Sequence, residues 1–378
     1  MLSAEQNLKL NVLANGIQVD PVAEEVWREE FEGPMSLNEY ASTSGICMKV
    51  EDGKSGVWLN APYTQEFTQA ALWRLQYDGG FVLQQADEQF RVGVIPVPAF
   101  HGKTYVDGQG VTQPYTNLGV THTDRIRISP LSGCGMVCKF CNIPYEAKYQ
   151  KKPNDELLEV VKLAENDPQA PARHVLISGG TPRKMDETWI DDVYEFIASQ
   201  SPIPVDVMMP ARHNMQYPSW LREKGVNSLS VNMEISDPER ALQITPSKAR
   251  RLGREHYLDY LERAVDDLGM GAVQSLMVFG SSVEPIASTL EGVQDLAERG
   301  VIPVLSPFRP DARTPMEQLP PASEEEMKEA YERSLEICDR AGTGVKPGPK
   351  CVPCHHNTVA FDDGSDFYVP LGKSLLVK

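Results

Sequence analysis

Three of the chain's seven cysteines fall within eight positions, in the string Cys134-Gly135-Met136-Val137-Cys138-Lys139-Phe140-Cys141. Thiolates separated by three and then two residues, on a glycine-containing loop, can converge on one iron-sulfur cluster. Three ligands on a four-iron cube leave one iron without a protein ligand, and an open iron is a place where a substrate or cofactor binds. A structural zinc site instead takes four ligands in a closed tetrahedron, commonly as two Cys-x-x-Cys pairs. The spacing here favours the cluster.

A second group lies near the end of the chain: Cys351-Val352-Pro353-Cys354-His355-His356, preceded by Cys338. It suits a second iron-sulfur cluster on Cys338, Cys351 and Cys354, with His355, His356 or a substrate as fourth ligand. It also suits a zinc site on Cys351, Cys354 and a histidine, or no metal at all, with Cys338 in the core. Cys-x-x-Cys-His matches covalent haem attachment too, but that belongs to exported proteins, and residues 1–15 lack the basic start and continuous apolar stretch of an export signal. Cys47 stands alone and reads as a small core residue.

The whole chain narrows the partners. Its 378 residues carry 36 Lys and Arg against 53 Asp and Glu, a net charge of -17, which repels densely anionic partners such as nucleic acid. The nearest thing to a basic patch, residues 248–254, reads as one helix face. With 41% hydrophobic residues the chain can bury a sizeable core, yet no segment approaches 18 uninterrupted apolar residues, so no membrane span is expected. An odd cysteine total without an export signal points to a reducing cytoplasm.

Elements able to position the cysteines emerge after residue 121. Candidate strands at 126–131, 174–178, 205–209, 228–235, 272–279 and 301–306 alternate with helical patterns at 155–166, 186–199, 218–224, 251–268, 286–299 and 323–341. Such alternation means right-handed βαβ units and a parallel sheet, either an incomplete barrel or an open doubly wound sheet, with chemistry at the carboxyl ends of the strands. Ser323 followed by Glu326 is a capping box, and Pro218 sits near the start of its helix. From residue 9 to about 115 the pattern is irregular, with short runs at 56–59 and 81–83 and helical spacing at 67–77. It reads as a small α/β or β-rich domain whose acidic stretch 24–32 is a solvated helix face. Residues 342–378, rich in Gly and Pro, form an extended tail that must dock on something. The expected boundaries are 1–120, 121–341 and 342–378.

The Cys-x3-Cys-x2-Cys spacing with Phe140 before the last cysteine resembles the signature of the radical S-adenosylmethionine (radical SAM) superfamily, and the core over about 121–341 is similar to its biotin-synthase-like members. The resemblance implies a partial (β/α)6 parallel barrel with a small N-terminal domain and an extended C-terminal tail. It implies a [4Fe-4S] cluster on Cys134, Cys138 and Cys141, whose open iron chelates the amino and carboxylate groups of SAM. One electron, from a donor such as flavodoxin or ferredoxin, then yields a 5'-deoxyadenosyl radical that abstracts hydrogen from a substrate, while the protein positions the parts and excludes water. Gly179, Gly180 and Thr181 stand where the family carries a Gly-Gly-Glu-like motif; Thr181 in place of the acid shifts the SAM contact toward backbone carbonyls. Asn232 and Glu234, polar on one face of an apolar strand, would meet the ribose hydroxyls or methionyl amine, and Phe140 would flank the cofactor. Arg254, ahead of Arg250 and Arg251, would supply the cation for the SAM carboxylate. Arg309 would hold a substrate carboxylate or pair with Asp311. No side chain is singled out as catalytic.

The expected reaction is hydrogen abstraction from a small molecule in cofactor or natural-product biosynthesis, with sulfur insertion an option if a tail cluster is sacrificial. The alternatives are radical modification of a protein or peptide side chain, for example C-methylation, and a non-enzymatic iron-sulfur electron carrier or sensor. Net acidity speaks against the tRNA- and rRNA-modifying branches. A cobalamin motif of the Asp-x-His-x-x-Gly kind is absent from the N-terminal part.

Overall fold

The computed structural model describes residues 2–31, 33–36, 44–50, 57–95, 97–349 and 351–361. Helix α1 (Ala4–Asn15) starts on a capping box, Gln6 N donating to Ser3 Oγ at 3.2 Å and Ser3 N to the Gln6 side chain at 2.9 Å. After β1 (Gln18–Val19) comes α2 (Pro21–Glu30), capped by Asp20, with Ala23 and Trp27 buried and its acidic residues outward, as a solvated face requires. Glu32, at the end of that acidic stretch, lies outside the described residues, as does Gly56 of the 56–59 run.

Strands β2 (Ile46–Val50), β3 (Trp58–Ala61), β4 (Arg74–Tyr77), β5 (Phe81–Gln85) and β6 (Glu88–Val94) join β1 in a six-stranded sheet of order β1-β4-β5-β6-β2-β3. The helical spacing at 67–77 misleads here. The segment is a 3₁₀ turn at Glu66–Ala70 followed by β4, which pairs antiparallel with β5. The cause is local: Asp78-Gly79-Gly80 closes a hairpin, with Gly79 at φ +62°, and cross-strand pairing outweighs a weak periodicity.

A ribbon of β7 (Thr104–Val106) and β8 (Thr112–Pro114) leads into β9 (Gly119–His122) and β10 (Arg125–Ile128). Beyond lie the small pair β11 (Leu131–Ser132) and β12 (Gln150–Lys151), with α3 (Ile143–Glu146) between them. The rest alternates: α4 (Asn154–Glu165), β13 (His174–Ile177), α5 (Glu187–Gln200), β14 (Val205–Met209), α6 (Tyr217–Glu223) and β15 (Ser228–Val231). It continues with α7 (Pro238–Ile244), α8 (Pro246–Arg251), α9 (Gly253–Leu268), β16 (Val273–Phe279), α10 (Ile286–Glu298), β17 (Ile302–Pro307) and α11 (Glu324–Ala341). The sheet order is β17-β16-β15-β14-β13-β10-β9, parallel except for β9 at one edge. All six expected strands are present, in the curled half-barrel of a (β/α)6 core. Strand β15 ends earlier than expected because side chains replace its ladder, Leu276 N donating to Asn232 Oδ1 at 3.2 Å and Met233 N to Ser275 Oγ at 3.0 Å, and beyond them Glu234, at φ +69°, keeps an isolated bridge to Met277.

Alternation along β10 sends Ile126 and Ile128 into the apolar core, where α4 lays Leu157, Val160 and Val161. Each such side chain stabilises the fold by about 1.5–3 kcal/mol on burial. The residues in between, Arg125 and Arg127, are on the opposite face and also buried. Helix α11 begins on the expected capping box, Ser323 N donating to Glu326 Oε2 at 2.7 Å. The tail then returns to the barrel. Gly348 N donates to Pro303 O and Val359 N to Leu305 O, so residues on either side of α12 (Val352–His356) hydrogen-bond to the free edge of β17. Lys9 of α1, fully buried, donates to His355 O at 2.6 Å and to Ala360 O, tying the tail to the N-terminal part.

Candidate functional site

The three-cysteine loop leaves the carboxyl end of β10, beyond β11, and is held by backbone contacts that only glycine permits. A Cβ on Gly180 would stand 1.8 Å from Gly133 O, and Gly133 itself has φ +68°. Two N–H groups converge on Cys134 Sγ, from Thr181 at 3.1 Å and Met136 at 3.3 Å. Farther along, Val137 N donates to Ser247 Oγ at 3.0 Å and Lys139 N to Ile244 O at 2.9 Å, fastening the loop to α7 and α8. Phe140 packs against an apolar cluster that includes Ile235, Ile244, Val278 and Phe308.

Burial pushes the Cys138 thiol well above its usual range, helped by the Glu234 carboxylate and by Cys141 and Cys134, and pushes Cys141 up to about 12. Thiols so placed ionise when a cation takes them, which is the chemistry of a metal-cluster ligand. Among the described residues, no group of three or more His, Cys, Asp or Glu is gathered tightly enough to hold a single metal ion. The trio nevertheless shares one neighbourhood, and amide donors on Cys134 suit a sulfur carrying negative charge. The donor set fits an iron-sulfur cluster with one open iron.

Glu234 occupies the left-handed region, which a residue with a Cβ rarely adopts, and the strain aims its carboxylate at the loop: Cys138 Sγ lies 3.7 Å from Glu234 Oε2. Lys248 of α8 answers it. Its Nζ is 2.7 Å from Glu234 Oε1 and donates to Asn232 O at 3.1 Å. Burial opposes the Lys248 charge, but Glu234 outweighs it and raises the ammonium above its ordinary value. Asn232 is buried, and its Oδ1 accepts from Ser230 Oγ at 2.7 Å and Leu276 N at 3.2 Å, extending the β15–β16 ladder beyond the strand's end.

Sequence reasoning passed over Lys248 because it sits in the basic run at 248–254, and helix α7 separates it from the strand's polar pair. Arg254 lines the same cavity of about 140 Å³ as Lys248, Met233 and Tyr257, and its guanidinium pairs with Asp295 and Glu255. Gly179, with φ +114°, and Gly180 put Thr181 beside Cys134. Arg309 turns away from Asp311, which pairs with Arg313 at 2.7 Å. The Arg309 Nη2 donates instead to Asn60 O at 3.3 Å, and burial lowers its pKa to about 10.

The tail cysteines stand at the other end of the barrel, where the strands begin. Cys351 and Cys354 lie against Arg125, the first residue of β10. Cys338 is buried on α11 among apolar neighbours. Burial, then the charge of Asp339, raises its thiol to about 12. Cys47 packs with Trp58 and Ile95, and burial raises it to about 12.

Residues 128–293 match the family model described as the Radical SAM superfamily, a span that contains the cysteine loop, Gly179 to Thr181, Asn232, Glu234 and Lys248. A bacteriochlorophyllide c C-7(1)-hydroxylase of Chlorobaculum limnaeum is 27% identical over 117 residues, 31% of this chain and 29% of that protein. The chain thus matches under a third of that relative's length. Methylornithine synthase superposes with a TM-score of 0.45 at 17% identity, over 62% of this chain and 69% of that one. A radical SAM methyltransferase from Sphaerobacter thermophilus does so with a TM-score of 0.46 at 14% identity, over 72% and 74%. Among the described residues, no helix is long and apolar enough to cross a membrane.

Proposed function

We propose that this radical SAM enzyme holds a [4Fe-4S] cluster on Cys134, Cys138 and Cys141 and acts by hydrogen abstraction on a small molecule. Cluster and SAM, when bound, supply the 5'-deoxyadenosyl radical. What the chain's own residues do follows from their placement. The Thr181 and Met136 amides hold charge on Cys134, while Gly180 lets the loop reach the end of β13. Glu234 and Lys248 present a compensated carboxylate and ammonium to the amino acid end of SAM, with Lys248 better placed than Arg254 to meet its carboxylate.

The observation that supports a small-molecule substrate is a groove of about 610 Å³ beyond the carboxyl end of β17, lined by Phe67, Asp311, Arg313, Glu317 and Leu319 among others. Its size lies in the range of small-molecule sites, and it carries a few charged groups among apolar ones. The hydroxylase relative is named for a small-molecule substrate, which accords with this choice. Net acidity disfavours a nucleic-acid substrate.

Anaerobic reconstitution followed by dithionite and SAM should release 5'-deoxyadenosine, and replacing Cys134, Cys138 and Cys141 by Ala should abolish it. Retained cleavage in that variant would refute their ligand role. Fractionated cell extract then addresses substrate class. Turnover should rise with the low-molecular-weight ultrafiltrate; a rise with the protein retentate alone would replace the small-molecule reading with a protein or peptide one.

A further inference from the structure

The beginnings of the barrel strands frame a second chemical site. Arg125 of β10, His174 of β13, Asp206 of β14, Ser228 of β15 and Gln274 of β16 line a cavity of about 20 Å³ that Cys351 and Cys354 complete. The two sulfurs are 2.9 Å apart. Arg125 Nη1 lies 2.8 Å from Cys354 Sγ and 3.5 Å from Cys351 Sγ, while its buried Nε has no partner among the described residues. Arg125 is 5% exposed, and a buried guanidinium needs an anion beside it. Two thiols in contact meet that need by sharing one proton between them.

The spacing favours sulfur-sulfur chemistry over a shared metal. Two sulfurs on one tetrahedral ion, with bonds of about 2.3 Å, stand about 3.8 Å apart. The cavity has room for about one water and not for a cluster. Cys338, the third ligand that a tail cluster would use, has no tail thiol among the groups that shift its titration.

We propose that Cys351 and Cys354 are a redox dithiol that closes to an internal disulfide by exchange with low-molecular-weight disulfides. Cys354, the more exposed of the pair and the closer to Arg125, attacks as thiolate. The oxidant's S–S bond breaks, one thiolate leaves, and a mixed disulfide forms on Cys354. Cys351 passes its proton to the departing thiolate and attacks the Cys354 sulfur, expelling a second thiolate that takes its proton from solvent. In sum, one protein thiol and one thiolate lose two electrons and one proton, and the oxidant becomes one thiol and one thiolate, the latter protonated by solvent.

The test uses full-length protein with the first cluster reconstituted, treated anaerobically with oxidised glutathione, alkylated and mapped without reductant. The peptide holding both cysteines should lose both alkylation sites, become two hydrogens lighter and recover with dithiothreitol. Cys351→Ala should trap glutathione on Cys354, and Arg125→Gln should slow the exchange on the order of ten-fold. Wild-type protein whose two thiols stay alkylatable at every glutathione ratio would overturn the proposal. So would a bound metal that a Cys351→Ser, Cys354→Ser variant loses.

Discussion

Lys248 and Glu234 show what a strained residue at the end of a strand costs and what offsets it. The Glu234 side chain is 14% exposed and that of Lys248 11%, so neither charge is well hydrated and each depends on the other. Removing one partner of a buried pair costs about 3–5 kcal/mol, and the partial exposure here puts the expectation at the low end. Lys248→Met should therefore destabilise the metal-free protein by about 3 kcal/mol in urea unfolding, whereas adding Glu234→Gln should recover part of the loss. Additive losses in the double variant would show that the two charges act independently. Neither the ion pair nor the positive φ of Glu234 is legible in the sequence. A lysine in a basic run looks like a solvated helix face until the strand beside it is placed.

At the scale of elements, the cysteine loop keeps its position because two turns without side chains touch. Gly180→Ala would drive a methyl group into Gly133 O, and the loop must yield, since the strand end behind Gly180 is fixed by the sheet. The expected cost is about 1–3 kcal/mol, with iron content after reconstitution falling well below wild type. Gly225→Ala is the control: Gly225 has φ +90° but, among the described residues, no atom within 4 Å of its added Cβ. That change should cost about 1–2 kcal/mol of backbone strain and leave iron content unchanged. Equal iron loss in both would mean that general instability, not the loop contact, governs loading. The Gly-Gly turn was readable beforehand, as were all six parallel strands, because β-branched runs and 3.6-residue periodicity alternate sharply after residue 121. Residues 67–77 were not. Their weak helical spacing is local, and the pairing with β5 that overrides it is set by a turn downstream. The tail was readable as a segment needing a partner, but not the edge it takes, because β17 exposes that edge only once the barrel is left open.

The segment that links the N-terminal sheet to the barrel is fastened to edge strand β9 by a contact that titrates. His101, just after β6, accepts a hydrogen bond from Thr121 N of edge strand β9 on its Nε2, at 2.9 Å. An imidazole accepting at Nε2 must be neutral, with its proton on Nδ1. Burial, then His122, lowers the His101 pKa from 6.5 to about 3; burial, then Arg125, lowers that of His122 to about 3. Both rings are neutral in the fold and become protonated in the unfolded chain below pH 6.5, so the unfolded state binds more protons across that window. Stability is therefore lost as pH falls from 6.5 toward about 3, by up to about 1.4 kcal/mol per pH unit for each ring. Carboxylates add their own loss at lower pH, so the diagnostic range is pH 6.5 to 5, read as the shift of the urea midpoint. Burial, then Lys9, lowers His356 as well, so His101→Gln removes one of three such rings and should shed about a third of the histidine share of that slope. An unchanged slope would mean that His101 is already protonated in the fold, which the Thr121 amide pointing at its Nε2 forbids.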